Sequence, residues 1–530
     1  MTTTGSSTAP PVVVIGCGPV GQTTALLLAR WGVPVIVLDG RPERDLVGSK
    51  AICQQRDVLD VWDSVGVGAE IARRGVTWTT ARTFHRDHEL FSFRFADRGQ
   101  SPFPPFVNVS QCVTEELLDQ AIAAQPLIEV RWDHQVIGIE QGDAEVSATC
   151  ANGMTVTGSY AVACAGSRAD VIRAALGLTF EGRTFGDQFL ICDIRTDLPG
   201  WVTERRFYFD PEWNPGRQVL IHPCPDSTFR IDWQVPPDFD LADEEASGGL
   251  DRRIRQVIGD RHHEIAWKSV YRFHSRVVDR MRVGRVLVAG DAAHLVSPFG
   301  ARGLNSGVLD ADNAAWKLAF VVHGWAPASL LDSYSDERHA AAVENLDVTG
   351  ATMRFLVPGS PEEARHRLEV LERATTDPAA RAEVDSGRLA EPFWYVDSPL
   401  TTPDGRRPFP GRPARGDVAV PGPGVLVPDV PITVAGRPDV VRLRQLARAG
   451  VTVLVGDDAA LPEHLPEHLP ERLPVAVHRI GDLDASSALR EALGARPDET
   501  WVLRPDAHVA AVLTRSADVA PAIARLLACP

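Results

Sequence analysis

The hydrophobic pattern of the first 40 residues alternates between two periods. Val12, Val13, Val14 and Ile15 form a β-branched run that ends on glycine, residues 22–31 repeat at helical spacing, and 33–38 return to an apolar run ending at Asp39. Continuous apolar runs of this length bounded by glycine read as buried strands, so the segment predicts a strand, helix and strand in succession. Further along, 49–67 carries Val58, Leu59, Val61, Trp62 and Val65 on a helical face, 111–124 is again helical, and strands are expected over 129–139 and near 160–164. Residues 83–106 and 185–280 change to strict alternation, which predicts a sheet with one face buried and one face toward solvent or a ligand. The strongest single stretch is 290–317. There an apolar run ends in Gly290-Asp291, the chain turns through Pro298, Gly300 and Gly303, and a helix begins near Leu304 with Val308, Ala311, Ala315, Leu318 and Val322 on its apolar side.

These periods divide the chain. Residues 1–10 are small and polar and read as a disordered tail. A discontinuous nucleotide-binding domain is expected over 11–82, 107–184 and 281–355, with a β-sheet substrate domain made of 83–106 and 185–280. A helical connection over 356–395 and a Pro/Gly-rich linker over 396–432 lead to a small α/β unit over 433–530. The repeat at 461–474, LPEHLPEHLPERLP, spaces His464 and His468 four apart, but proline every four residues forbids the helix that would make them a metal face. It reads as a surface loop, and no metal site is expected.

Composition narrows the partners. A formal net charge of −16 argues against nucleic acid or an anionic membrane as the main partner. Eight cysteines without a C-x-x-C pair or zinc spacing suggest neither a disulfide scaffold nor a structural metal, and a cytoplasmic location fits best. The N-terminus has no basic lead before an apolar run, so no secretory signal or membrane span is expected.

The chemistry lies in the turns. Gly16-Cys17-Gly18-Pro19-Val20-Gly21 is G-x-G-x-x-G between a strand and a helix, with Asp39 at the end of the next strand. In that context the first glycine permits the turn, the second lets backbone approach a pyrophosphate, the third lets helix pack on strand, and the acid accepts from a ribose diol. The helix opening at 303–305 offers a second positive dipole end, suited to a ring that becomes anionic on reduction. Aromatic residues crowd the 185–280 block. Phe207, His222 and Trp233, with Pro298 and Phe299 from the turn, are candidates to line a substrate pocket. His222, His274 and Tyr208 could move a proton, and Arg302 adds positive charge beside the turn, with a surface salt bridge as its other reading. The sequence assigns none of these as the base.

Taken together, the βαβ unit, the middle β-block and GDAAHxxxPxGxxGLNxGxxDAxNxxWK resemble the class A flavoprotein monooxygenases, the aromatic hydroxylases of the para-hydroxybenzoate hydroxylase type. The length resembles the branch of phenol, hydroxyphenylpropionate and polyketide hydroxylases that carries a C-terminal thioredoxin-like domain, here without a CxxC. The resemblance implies a mixed α/β fold with a Rossmann-like FAD-binding domain. It places FAD on Gly16, Gly18, Pro19, Val20, Gly21, Asp39, Gly40, Arg41, Lys50, Gln111, Gly290, Asp291, Pro298, Gly303, Leu304 and Asn305. It further implies NADPH or NADH as reductant, O2 and a small aromatic substrate as partners, hydroxylation through an FAD C4a-hydroperoxide, and a homodimer as an allowed assembly. One departure stands out: where the family has Asp-Gly after Cys or Ala, this chain has Cys164-Ala165-Gly166, which bears on nicotinamide use. A Baeyer–Villiger or epoxidising oxygenase, or a flavin-binding protein without catalysis, are the other readings.

Overall fold

The computed structural model describes residues 10–45, 51–95, 101–413, 417–462, 472–484 and 486–529. The sequence's first strand, Val12–Ile15, is buried along its whole length and pairs in parallel with Val35–Leu38 on one side and Tyr160–Ala163 on the other. Strands covered on both faces need no alternation, which is why they appear as unbroken β-branched runs. Ile128–Arg131 continues this sheet at one end, and Val286–Val288 with the short antiparallel edge Arg282–Val283 completes six strands at the other. The expected single strand over 129–139 is two strands in different sheets. Asp133 takes φ 58°, a left-handed turn, and Val136–Gln141 then pairs with Val146–Cys150 in a separate three-stranded sheet.

A second sheet has eight strands, in the order His294–Leu295, Glu264–Val278, Phe180–Arg195, Thr228–Val235, Gln218–Cys224, Glu204–Phe209, Thr80–His85 and His88–Arg94. Residues from 80–94 and from 180–278 thus share one sheet, whereas Phe106–Asn108 pairs elsewhere, with Cys53–Gln55. Alternation along the long strands sorts side chains into two apolar clusters. One face carries Phe189, Phe207, Phe209, Leu220 and Phe273 against Phe299. The other carries Ile194, Val219, Ile231 and Trp233 under the helix Gly249–Ile258.

The helix Gly303–Val322 is buried on nearly every side. Val308, Ala311, Ala315 and Leu318 pack into the core of the parallel sheet, as their spacing predicts. Trp316 and Phe320, on the far side, pack into a different core with Val451, Val453, Val502 and Ile523 of the C-terminal unit. That unit is a four-stranded mixed sheet in the order Val475–Arg479, Val451–Val455, Thr500–Leu503 and Val509–Leu513. The Pro/Gly-rich segment before it is stitched along the edge strand, where Thr402 N–H donates to the Ala510 carbonyl and Gly424 N–H to that of Val509.

Charge joins the unit to the rest. Arg444 donates to Asp57 at 2.8 Å, and Arg448 to Asp312 at 2.7 Å and Asp60 at 3.0 Å. Arg504 and Lys317 both donate to Glu337, each at 2.6 Å in its closest contact. All of these groups are buried. No helix among the described residues is long and apolar enough to cross a membrane. The 461–474 repeat, with His464 and His468, falls largely outside the described residues.

Candidate functional site

The G-x-G-x-x-G segment turns from the first strand into the helix Pro19–Arg30, with Pro19 at its first position, where a missing N–H costs nothing. Each glycine does something different. Gly16 has φ +103°, and a Cβ there would lie 2.5 Å from the Cys164 carbonyl oxygen, so the turn is pressed against Cys164-Ala165. A Cβ on Gly21 would lie 1.9 Å from the Gly16 carbonyl oxygen, so this glycine lets the helix close on the strand. Gly18 has ordinary φ −83° and a Cβ there would meet nothing within 4 Å. Among the three, Gly18 alone faces open space at the helix N-terminus, where a pyrophosphate would be received.

Asp39 follows as expected at the end of the second strand, and its carboxylate is fully engaged. It accepts the Cys17 N–H at 2.7 Å, and the Arg41 side chain donates through Nε at 2.9 Å and Nη2 at 3.0 Å. Burial opposes its ionisation, yet the Arg41 guanidinium and the backbone N–H groups of Arg41 and Cys17 hold its carboxyl below the usual range. Gly40, beside it, is exposed. Gln111 starts the helix Gln111–Ala123, where Ser110 caps the Cys112 N–H and the Gln111 amide donates to Glu115 at 2.9 Å. Lys50 lies outside the described residues.

The Gly290 turn meets this first turn directly. A Cβ on Gly290 would lie 3.1 Å from Val20 Cγ2, and one on Gly307 would lie 2.6 Å from the same atom. Val20 is therefore wedged between the Gly-Asp turn and the second turn of the helix Gly303–Val322, so that its side chain packs and only its backbone is available to a ligand. Asp291 and Pro298 are exposed, Gly303 opens on empty space, and Leu304 is half-buried. Asn305 is committed to protein: its amide donates to the Cys53 carbonyl at 2.9 Å and accepts the Gln55 N–H at 3.0 Å, fixing the turn to the strand Cys53–Gln55. Arg302 is not at the surface. It is 2% exposed, donates to Asn345 at 2.6 Å and to the Arg388 and Leu389 carbonyls, and burial lowers its pKa to about 10. The salt-bridge reading is thereby corrected, and the cation lies at the N-cap of the turn helix.

Sequence reasoning missed the group that holds this turn. Asp310, fully buried, accepts from the Gly290 N–H at 2.9 Å, His294 Nε2 at 2.8 Å and Arg338 Nε at 2.7 Å. Burial resists its charge, but Arg338, His294 and the Gly290 N–H bring its pKa down to about 2. It stands in the quoted motif; what could not be read is Arg338, which comes from another helix, Asp332–Leu356. Arg44 was missed as well: it donates to the Cys17 carbonyl at 2.6 Å and pairs with Asp119.

The expected pocket residues separate. Phe207 and Phe299 share one cluster, and His222, by alternation with Leu220, projects from that same sheet face. Trp233 and Tyr208 do not join them. Both belong to the opposite face, where Trp233 is fully buried under a helix and Tyr208 stacks on Phe84 and accepts from Arg206. Alternation says which residues share a face but not which face meets a ligand, so Trp233 is corrected from pocket wall to core. His274 is half-exposed, alternates with Phe273, and pairs with Thr184 at 2.9 Å. The described residues contain no cluster suited to a metal.

Comparison with known proteins accords with this geometry. The FAD binding domain family matches residues 9–349. The chain is 31% identical over 379 residues to a rifampicin monooxygenase of Streptomyces venezuelae, covering 67% of this chain and 74% of that protein. It is 30% identical over 368 residues to a 3-(3-hydroxy-phenyl)propionate/3-hydroxycinnamic acid hydroxylase of Comamonas testosteroni, covering 68% of this chain and 61% of that one. In structure it resembles the flavin-dependent monooxygenase PieE, solved with FAD and substrate, with a TM-score of 0.81, 24% identity, and 99% and 100% of the two chains covered. On the matched span, which exceeds half its length, the chain belongs to the FAD binding domain family of flavoprotein monooxygenases.

Proposed function

We propose that the protein is an NAD(P)H- and O2-dependent FAD monooxygenase that hydroxylates a phenolic or aromatic polyketide substrate. The observation that supports this best is the wedge of Val20 between Gly290 and Gly307, which packs the helix that opens at Gly18 against the helix that opens at Gly303, with open space at both glycines. FAD suits such a pair of helix ends. Its pyrophosphate would lie on the backbone at Gly18, its ribose would replace the Arg41 side chain on Asp39, and Asp291 and Gln111 would contact the chain between. Pro298, Gly303 and Leu304 would support the ring, where the helix N-terminus favours negative charge by about 0.3–2 kcal/mol. When bound and reduced by NADPH or NADH, FAD supplies the activation of O2.

The chain's own residues orient and shield. Asn305 and Asp310 anchor the turn from behind, Arg302 places a buried cation at its N-cap, and Phe207 with Phe299 would supply an apolar wall that keeps water from the reacting face. Catalysis gains from such fixed groups because they need no reorganisation during reaction. The test is substrate-stimulated NAD(P)H oxidation by the purified yellow protein with 18O2. A product one oxygen heavier and labelled supports the reading; label absent from every product overturns it.

A further inference from the structure

The sheet face that carries Phe207 and Leu220 also carries a polar cluster that the reading above leaves unused. Cross-strand pairing sets Leu220 beside Asp232, and His222 beside Arg230, which lies opposite Asp193. Leu220 packs in the cluster that contains Phe299, and Cys224, two residues beyond His222 on the same face, in the cluster that contains Ala301. His222 lies midway between them and therefore faces the 298–301 turn. We propose, resting on the phenol-hydroxylase reading, that His222 receives the substrate's phenolic proton and that Asp232 is the positioning residue that holds the imidazolium so formed.

The members of the cluster are not equivalent. Arg230 is 2% exposed and is bound by Asp193 through two hydrogen bonds, at 2.7 and 2.8 Å. His222 and Asp232 retain 12% and 20% exposure, and His222 Nε2 stands 3.9 Å from Asp232 Oδ2. His222 Nδ1 and Asp232 Oδ1 are buried with no hydrogen-bond partner, a costly state that a ligand hydroxyl relieves. The charged and titratable groups around the pair are Arg205, Arg230, Asp193 and Cys224, with Cys53 near Arg205. Burial first, then Arg205 and Arg230, push the His222 pKa well below 6.5, so the imidazole is neutral and can accept. Burial raises the Asp232 carboxyl to about 7, with Arg230 opposing.

In the step, the phenol O–H bond breaks, its electron pair stays on oxygen as phenolate, and the proton forms an N–H bond at His222. The imidazolium is then paired with the Asp232 carboxylate, so the step is favoured once Asp232 has ionised, and the rate rises as pH climbs through about 7. The aromatic ring carbons made electron-rich in this way are what an electrophilic oxygen donor requires.

The test uses FAD-loaded wild type, His222→Gln and Asp232→Asn with p-nitrophenol, 3-(3-hydroxyphenyl)propionate and 1-naphthol. NAD(P)H oxidation is followed across pH, and bound p-nitrophenol is read by its visible phenolate band. Expected are a fall in kcat of about 100-fold for His222→Gln, loss of the rising limb in Asp232→Asn, and a bound-phenol ionisation midpoint raised by about one pH unit or more in both variants. Stimulated oxidation with profiles and midpoints unchanged in both variants overturns the proposal and leaves the monooxygenase reading intact. If no member of the panel binds or stimulates the wild type, the phenol reading fails and this proposal with it.

Discussion

Replacing Arg448 by methionine tests how the C-terminal unit is held. Methionine keeps much of the aliphatic volume, so the change acts mainly through charge. Arg448 is 5% exposed and donates to two carboxylates, Asp312 and Asp60, that are 11% and 8% exposed. An exposed pair is worth at most about 1 kcal/mol, but removing one partner from a buried pair leaves an uncompensated charge and costs about 3–5 kcal/mol. Asp312 loses its arginine partner while Asp60 keeps Arg444 at 3.7 Å, so a loss within that range is expected. The sign with pH follows. Burial already raises the Asp312 carboxyl against the pull of Arg448. Without the guanidinium its folded-state pKa rises further above the unfolded value, so the folded state binds the extra proton and stability falls as pH rises. The deficit is therefore largest above the raised pKa and vanishes below the unfolded pKa of about 4. Urea unfolding followed by tryptophan emission reports it, because Trp316 and Trp501 are buried at and near this interface. A loss under about 1 kcal/mol, or one independent of pH, refutes the account of a desolvated three-charge cluster.

The paired glycine variants Gly18→Ala and Gly21→Ala separate ligand contact from packing. Gly18→Ala is expected to leave apoprotein melting within about 1 °C and weaken FAD binding by about 10-fold or more, whereas Gly21→Ala drives a methyl into the Gly16 carbonyl and lowers the yield of folded protein; equal behaviour in melting and FAD titration contradicts this. Asp310→Asn should cost about 3–5 kcal/mol by leaving Arg338 without its buried carboxylate, measured by denaturant melts with FAD retention read alongside. Asp291→Ala should release FAD on dialysis, and unchanged yellow colour counts against its role. Asp39→Asn should destabilise at neutral pH and not at acid pH: a carboxyl with a depressed folded pKa contributes above its unfolded value and loses that contribution as pH falls through the folded one.

The strands and turns of the nucleotide half were legible because each depends on neighbours in the chain: β-branched runs for buried strands, glycine for a turn, an acid at a strand end. The apolar stripe of the 304–322 helix was legible for the same reason. Its other stripe, Trp316 and Phe320, was not, because much of its cover, from Val451 on, lies more than 130 positions away. Partners on other elements likewise hid Asp310 with Arg338, 28 positions on, and Glu337 with Arg504 and Arg448 with Asp60, which are far more distant, since a lone charge in a sequence resembles any solvated one. Trp233 and Tyr208 were misplaced for a narrower reason. Period-two alternation defines faces without labelling them, and only the helix Gly249–Ile258 shows which face is covered.

The helix Gly303–Val322 has its first turns beside the Gly290 turn and its last turns inside the C-terminal core. It is a shared beam, and a beam transmits load. Any ligand that binds only when the Gly303 end is in place draws on the same folded population that keeps Trp316 and Phe320 covered. By mass action such a ligand protects the C-terminal unit from proteolysis without touching it, by RT ln(1 + [L]/Kd). Conversely, a cut in the segment along Val509–Leu513 would loosen the grip on a cofactor bound at the opposite end.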